Sequence, residues 1–394
     1  ILDIDSRTGD FEKYNVNGGI SPVSAHLAFD GPLLKDKISF VGAGRSTYSD
    51  WILRRVGDER VRNSSASFYD YFGKISIKLK KDNKLFLSFY KSHDDFKFDN
   101  IQTQEYSNFV LSTAYSTPLA TNMSYEANVS YSSYNSSMID ESIPSISMSS
   151  SYSINQQSLN NRFNWKRDRW INLSFGLSGI LYNIQPGSRD PWGPESIVEP
   201  LILEDERALE GALYIHNEQT INSWLKLSYG FRYSAYAFLG PAAIYEYNNG
   251  VTRSAESLKD TILYSSGELI SFYSGPEIRF LGKIILDAKS SIKFSYNRTR
   301  QYIGLVSNTV LPAPTDFWKL SDPHIQPRIG DIVSLGYFRN VVLNSSSSFV
   351  FSMETYYRNT QNILDYKTGA ELFANEHFET EIIQGINRSY GIEF

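Results

Sequence analysis

The sequence predicts an all-β membrane protein, a transmembrane antiparallel β-barrel of about 16 strands. Apolar and polar residues alternate with a period of two, short and long connections alternate along the chain, and aromatic residues make up 14% of the 394 residues. The first pattern indicates strands with one apolar and one polar face. The second separates a membrane barrel from a soluble sandwich, because a sandwich has no physical reason to sort its loops by length.

The alternation is clearest in the segment 225–234, where odd positions are apolar or aromatic and even positions are polar or glycine. Lys226 and Arg232 fall on the polar face, which we expect to line the lumen, because either charge would cost roughly 2–4 kcal/mol if it faced lipid near the midplane. The residues expected to face lipid in this segment and in 171–177 are Leu225, Leu227, Phe231, Ile171, Leu173 and Phe175.

The connections are expected to form two different rims. Short links are predicted near 31–37, 81–83, 118–121, 166–170, 221–224 and 286–289. Longer polar links are predicted near 51–67, 97–104, 135–144, 184–203, 239–275, 304–325 and 361–381. Short turns are typical of the periplasmic rim of a membrane barrel and long loops of the extracellular rim, so both chain ends are expected on the periplasmic side.

Tryptophans also favour a membrane, because their amphipathic rings sit well where hydrocarbon meets headgroups. Four of the six fall near predicted strand ends, namely Trp51, Trp170, Trp224 and Trp318.

Several other classes are excluded by composition. No run approaches the roughly 18–20 apolar residues that a membrane-spanning helix requires. The net charge of −5 argues against a nucleic-acid partner, and the absence of cysteine excludes disulfides and thiolate metal sites. His93, Asp94 and Asp95 have metal-ligand side chains but are adjacent in one strand end, where a solvated loop is the better interpretation. No catalytic residue, metal site or cofactor is therefore expected, and the chain is not predicted to be an enzyme.

Several blocks of the sequence resemble TonB-dependent outer-membrane receptors of the Bacteroidetes type. The blocks are Gly-Ile-Ser-Pro-Val-Ser at 19–24, Asp-Gly-Pro-Leu at 30–33, Ser-Tyr-Asn-Arg at 295–298, Pro-Thr-Asp-Phe-Trp-Lys at 314–319, Asn-Ile-Leu-Asp-Tyr at 362–366 and Tyr-Gly-Ile-Glu-Phe at 390–394. Together they touch most of the chain.

The resemblance implies active import of a scarce ligand, such as a metal chelate, glycan or peptide, across the bacterial outer membrane. Receptors of this family have barrels of 22 strands filled by an N-terminal plug, and a TonB box couples them to an inner-membrane motor. Residues 1–394 are therefore interpreted as the outer-membrane β-barrel domain, with the plug domain and the C-terminal strands outside them. The implied partners are the lipid bilayer, the TonB motor and a surface lipoprotein that caps the long loops.

Two alternatives stay open at this point. If Phe394 is the genuine C-terminus, a complete 16-strand barrel would be a passive, porin-like channel. A structural or docking role in an outer-membrane assembly is the other. The receptor interpretation predicts that a strand near 1–6 does not pair with residues 385–394, whereas the porin interpretation predicts that it does.

Ligand recognition is expected on the long links at 184–203, 239–275 and 304–325, which should stand on the extracellular rim. Their prolines and tryptophans reduce the entropy that such loops lose on ordering. The candidate ligand-binding residues are Arg189, Trp192, Asp316, Trp318 and Lys319.

Overall fold

The computed structural model describes residues 6–99, 101–168, 170–307, 316–344, 347–370 and 374–394, and of residues 342–344 and 347 it describes the backbone alone. Its strands are β1 (Asn15–Ile20), β2 (Ser24–Leu34), β3 (Ile38–Thr47), β4 (Ser65–Lys78), β5 (Lys84–Phe98), β6 (Gln102–Ala120), β7 (Met123–Asp140), β8 (Met148–Lys166), β9 (Asn172–Pro191), β10 (Leu201–Ile202), β11 (Glu206–Thr220), β12 (Leu225–Leu239), β13 (Ala242–Tyr247), β14 (Leu258–Tyr264), β15 (Leu269–Ile285), β16 (Ser290–Gln301), β17 (Ile303–Val306), β18 (Phe317–Leu320), β19 (Arg328–Asn344), β20 (Ser347–Tyr366) and β21 (Ile382–Glu393).

In the described part of the chain, helical structure is confined to short segments in the connections. The helices are α1 (Asp50–Leu53), α2 (Glu59–Arg62) and α3 (Phe378–Glu381), with 3-10 turns at Lys80–Asp82, Pro144–Ile146 and Ala255–Ser257. Within the described ranges, no helix has the length and apolar character needed to cross a membrane.

The strands form one long antiparallel meander, as the period-two pattern predicts. Among the residues that the structure describes, the main sheet has 17 strands, of which β10 is a two-residue strand on the edge of β9. The other 16 pair with their neighbours along the chain, apart from the hairpins β13–β14 and β17–β18, which form separate small sheets. The predicted all-β class and the strand number are confirmed.

The two rims differ in link length, as expected. Short links join β2 to β3, β4 to β5, β6 to β7, β8 to β9, β11 to β12 and β15 to β16, whereas the links at 192–205, 240–268, 302–327 and 367–381 lie at the opposite rim. Two expected long links are wrong. β5 ends at Phe98 and β6 begins at Gln102, so strands occupy most of 97–104, and β7 extends to Asp140, so it occupies most of 135–144.

Both ends of the meander lie at the short-link rim, because β1 runs away from that rim and β21 runs towards it. Among the described residues, no ladder joins β1 to β21. Residues 1–5, on which the expected first strand largely falls, lie outside the described residues, so the expectation about their pairing stays a prediction.

The outer face of the sheet carries the apolar residues that parity predicts. Phe231 is 46% exposed, and Leu225, Leu227, Leu173 and Phe175 are half-buried on the same face. Their partial cover comes from neighbouring side chains, as where the rings of Phe163 and Phe175 stack at 5.2 Å. Ile171 is half-buried in the link before β9 rather than in the strand.

The inner face holds the predicted lumen residues and a core at the long-link end. Tyr152 of β8 lies 6.2 Å from Phe317, whose ring lies 5.7 Å from Phe378 of α3, which follows β20. Strands far apart in the meander therefore meet through one ring, which requires the sheet to curl around this face. Tyr236 and Ile184 are fully buried in the same core.

Segment 6–14 lies on the inner face of β2–β4, near the short-link rim. Arg7 forms a 2.7 Å ion pair with Asp30, and the Lys74 ammonium donates to the Ser6 carbonyl at 2.8 Å. Asp30 pairs with Val41, which pairs with Lys74, so these residues share one face of the sheet. The chain therefore reaches β1 from inside the lumen.

Candidate ligand-binding site at the long-link mouth

The link 302–327 folds into the barrel mouth. Its strands β17 and β18 pair with each other, and Phe317 and Leu320 are buried against the inner wall. The sequence analysis expected this link to stand on the rim, as a projecting loop. The difference has a physical reason, because the apolar side chains of the hairpin find an apolar partner only on the inner wall.

Three wall tyrosines hold the backbone of this link. The hydroxyl groups of Tyr152, Tyr236 and Tyr273 donate to the carbonyl oxygens of Trp318, Ser321 and Asp322 at 3.0, 2.7 and 2.8 Å. The Trp318 backbone N–H also donates to the Tyr152 hydroxyl oxygen at 3.0 Å. Because buried backbone groups must find partners, these bonds fix the position of the link across the mouth.

Lys319 anchors the hairpin by charge. Its ammonium forms an ion pair with Glu206, the first residue of β11, and lies 3.6 Å from the Asp322 carboxylate. Burial alone would lower the pKa of Lys319, but the carboxylates of Glu206 and Asp322 outweigh it, so the pKa lies above its ordinary value. Lys319 is therefore a cation at any physiological pH, and the Glu206 carboxylate is compensated inside the mouth.

The Tyr236 and Tyr302 rings extend the same packing. They stack at 4.8 Å with an interplanar angle of 7°, and the Tyr302 hydroxyl shares a 2.8 Å hydrogen bond with that of Ser234. Stacked aromatic pairs add roughly 0.5–1.5 kcal/mol to their burial. This stacked pair therefore adds to the stability of the packing inside the mouth.

A cavity of about 200 Å³ opens beside the hairpin. The carboxylates that line it come from Glu204, Asp205, Glu206, Asp322, Glu376 and Glu379, and the rings from Phe238, Tyr245, Phe317, Phe378 and His324. Lys319 also lines the cavity and pairs with Glu206 and Asp322, so the carboxylates that favour a cationic ligand group are the other four. The aromatic rings suit a flat or cationic group. In the part of the chain that the structure describes, no group of three or more His, Asp or Glu side chains is arranged to hold a metal ion.

The five predicted ligand-binding residues fall in two places. Trp318, Lys319 and Asp316 belong to the link that forms the hairpin of β17 and β18 inside the mouth, which is called the inner hairpin below. Trp318 is half-buried there, whereas the sequence analysis expected it at the interface of the membrane. Arg189 is half-buried near the end of β9, opposite Ser150 of β8. Trp192 is exposed just beyond β9, where its indole N–H donates to the Glu141 carboxylate at 3.2 Å. Their role in binding stays a prediction.

Below the mouth, the wall contains a compensated charge cluster. The Arg232 guanidinium donates to Glu210 at 3.1 Å, to Glu277 at 3.2 Å and to the Ser178 hydroxyl at 3.1 Å. The Tyr182 hydroxyl donates to the second oxygen of Glu210 at 3.0 Å. Arg232 was predicted to face the lumen, and the structure supplies the carboxylates that satisfy it there.

Sequence reasoning missed the wall tyrosines and the pairing of Glu206 with Lys319. One pattern could have indicated Tyr236: from Tyr233 to Leu239 both parities of β12 carry apolar or small residues, which is typical of a strand covered on both faces. Such a stretch at the end of a lumen-facing strand indicates that something packs inside the barrel.

No protein-family model and no curated protein matches the sequence. Several solved structures are, however, similar to this chain. The chain is similar to the copper transporter OprC, with a TM-score of 0.64, 10% identity and coverage of 92% of this chain and 57% of that one. The chain is also similar to the ferric-catecholate import receptor Fiu from E. coli K12, with a TM-score of 0.60, 10% identity and coverage of 98% of this chain and 62% of that one.

A third similar structure is P. aeruginosa FpvA bound to heterologous pyoverdines, with a TM-score of 0.62, 13% identity and coverage of 98% of this chain and 52% of that one. The fold is that of outer-membrane receptor barrels. At such low identity the likeness concerns the fold, and it agrees with the predicted location in the bacterial outer membrane. The chain spans between about half and three fifths of the length of these structures.

Proposed function

We propose that this chain forms the barrel of a TonB-dependent receptor that imports a scarce ligand across the bacterial outer membrane. The observation that carries the proposal is the receptor-type barrel whose long-link mouth is filled by an anchored hairpin and a carboxylate-lined cavity. A mouth built from buried, hydrogen-bonded side chains suits recognition followed by a driven rearrangement. It suits an open diffusion channel less well, because the hairpin occupies the path.

The finer parts of the proposal rest on the resemblance in sequence. They are the Bacteroidetes type of the receptor, a plug domain with a TonB box N-terminal to this barrel, further barrel strands, coupling to the inner-membrane motor and a surface lipoprotein over the long links. Solved structures of the same fold include the copper transporter OprC, the ferric-catecholate import receptor Fiu and the hemophore receptor HasR in complex with HasA and heme. We infer a ligand in the same broad class of scarce nutrients.

The test is energised uptake by cells that express the complete gene. Accumulation of copper(II), a ferric catecholate and heme is measured with and without the inner-membrane TonB protein, and in cells that lack the receptor gene. Uptake of one of these that needs both genes supports the proposal. Uptake that needs the receptor gene but persists without TonB would contradict it and favour the porin-like channel.

The role of the inner hairpin is tested separately by deleting residues 307–320 from the complete receptor. We expect ligand binding to cells to fall, because Asp316, Trp318 and Lys319 are removed together. Surface expression is checked with an antibody or an epitope tag. Unchanged affinity and uptake at normal expression would place recognition elsewhere.

A further inference from the structure

The outer face of four neighbouring strands changes from apolar to charged towards the long-link rim. The strands are β16, β19, β20 and β21, and directly opposite residues on them form rows. Counted from the short-link side, a mainly apolar row is Phe294, Leu335, Thr355 and Ile392, the tyrosine row is Tyr296, Val333, Tyr357 and Tyr390, and the charged row is Arg298, Asp331, Asn359 and Arg388.

All three rows face outward. Tyr296 lies opposite Phe280 of β15, which lies opposite Tyr229 of β12. Tyr229 belongs to the outward-facing odd positions of β12 and is 42% exposed. Directly opposite residues share a face of the sheet, and so do residues two apart on one strand. Arg298 and Arg388 therefore also point away from the lumen.

The tyrosine row indicates the depth of the charged row in the membrane. Tyrosine rings are enriched where hydrocarbon meets headgroups, and membrane barrels carry such aromatic girdles at both interfaces. An arginine on the lipid side is costly at the bilayer midplane but costs little near the interface. Because long links mark the extracellular rim, Arg298 and Arg388 lie at the level of the headgroups of the extracellular leaflet.

The charged row has guanidinium nitrogens that the wall does not satisfy. The Asp331 carboxylate accepts a 2.7 Å hydrogen bond from the Tyr296 hydroxyl and lies 3.3 Å from Nε of Arg298. Among the described residues, the terminal nitrogens of Arg298 make no hydrogen bond, and Arg388 is exposed and has no ion pair. The row therefore carries two positive charges and one negative charge, and its terminal guanidinium donors are available to a ligand.

We propose that the charged row binds the phosphate groups of a glycolipid in the outer leaflet of the outer membrane. Guanidinium groups bind phosphate through paired, charge-assisted hydrogen bonds. Strands lie about 4.8 Å apart, so the three intervals between Arg298 and Arg388 span roughly 14 Å. Each arginine can then hold one phosphate of a diphosphorylated headgroup, whose acyl chains lie over the tyrosine row and the apolar residues below it. The inference needs only the outer-membrane location of the barrel and goes beyond import.

The test is lipid binding to the complete protein, purified in a mild detergent and measured by native mass spectrometry. Diphosphorylated lipid A is titrated against the protein, and the fraction that carries lipid gives a dissociation constant. We expect this lipid to bind, and the same lipid to bind much more weakly after enzymatic removal of its phosphates. Equal affinity for the two lipids would overturn the proposal, because the phosphates would then contribute nothing.

A matched pair of variants locates the site. Arg388→Gln should weaken binding by about tenfold, because a charge-assisted hydrogen bond to phosphate is lost, and Arg298→Gln/Arg388→Gln should weaken it further. The control is Arg339→Gln, which removes an exposed arginine from the same outer face of β19 at the short-link rim. It should leave the affinity unchanged. Equal affinities of the Arg388→Gln and Arg339→Gln variants would overturn the proposal.

Two further measurements keep the result interpretable. Folding of each variant is checked by the heat-modifiable migration of the barrel in gels. Arg388 has no ion pair among the described residues, so Arg388→Gln should fold normally and carries the test if the double variant does not. Inorganic phosphate alone is added as a competitor. Displacement of the lipid by an equal concentration of inorganic phosphate would assign the arginines to a soluble anion and overturn the proposal.

Discussion

Replacing Lys319 with methionine should release the inner hairpin from the barrel wall. The change leaves the Glu206 carboxylate without its cation in a site where the two side chains are only 15% and 7% exposed. Removing one partner of a buried ion pair costs roughly 3–5 kcal/mol. Each 1.4 kcal/mol is about a tenfold change in an equilibrium constant, so opening of the hairpin should increase by about two to four orders of magnitude.

The chain has no cysteine, which makes a single introduced thiol a clean reporter. Ser321 lies directly after β18 and is 4% exposed, so the thiol of a Ser321→Cys variant should react with a maleimide only when the hairpin opens. The labelling rate is compared in the presence and absence of Lys319→Met, with purified protein in detergent.

A second substitution separates the charge effect from lost packing. In the Glu206→Gln/Lys319→Met variant the closest charge pair is gone, and replacing a whole buried pair is often neutral, so labelling should slow again relative to Lys319→Met. The recovery should be partial, because the Asp322 carboxylate, 3.6 Å from the Lys319 ammonium in the parent, keeps its charge. A Lys319→Met rate within about threefold of the parent, which corresponds to less than ~1 kcal/mol, would refute the reasoning. The Glu206–Lys319 pair would then not hold the hairpin.

Two further predictions concern the wall. Arg232→Met should lower the free energy of unfolding in urea by roughly 3–5 kcal/mol, because it leaves Glu210 and Glu277 buried without a cation; an unchanged midpoint would contradict this. Leu213→Arg on the outer face should cost roughly 2–4 kcal/mol in a bilayer, whereas Ser112→Arg, which is also mid-strand but faces the lumen on the same face as Lys74, should cost much less. Equal costs would show that Leu213 does not contact lipid.

The wall was predictable because lipid and lumen impose opposite demands on neighbouring residues. In β12 the odd positions from Leu225 to Tyr233 face outward and Arg232 faces inward, as parity requires. The prediction of a polar lumen is right along this strand as far as Ser234. Beyond Ser234 it is wrong, because the inner face of β12 is apolar there. A period-two pattern describes the environments on the two faces of one strand. It does not identify which other segment packs against the inner face.

The inner hairpin was not predictable, because its contacts are remote in sequence. The hydroxyl of Tyr152 and the backbone of Trp318 are 166 residues apart, and Tyr236 and Ser321 are 85 apart. The sequence marked Trp318 and Lys319 as candidates by residue type, but their burial depends on a partner such as Glu206 on another strand. The same limit applies to Lys226, Lys283 and Lys293, which are seen to lie opposite one another only once the registers of β12, β15 and β16 are known.

The lumen therefore contains two kinds of charge with different consequences. Near the mouth, Lys319 and Arg232 are enclosed with carboxylates, and removing them should change the stability of the hairpin or the wall. Near the short-link rim, Lys226 is exposed and Lys283 and Lys293 are half-exposed, all without ion-pair partners among the described residues. Neutralising one of them removes like-charge repulsion, so the isolated barrel should be as stable or more stable. A loss of function there, without a loss of stability, is the expected mark of a binding surface.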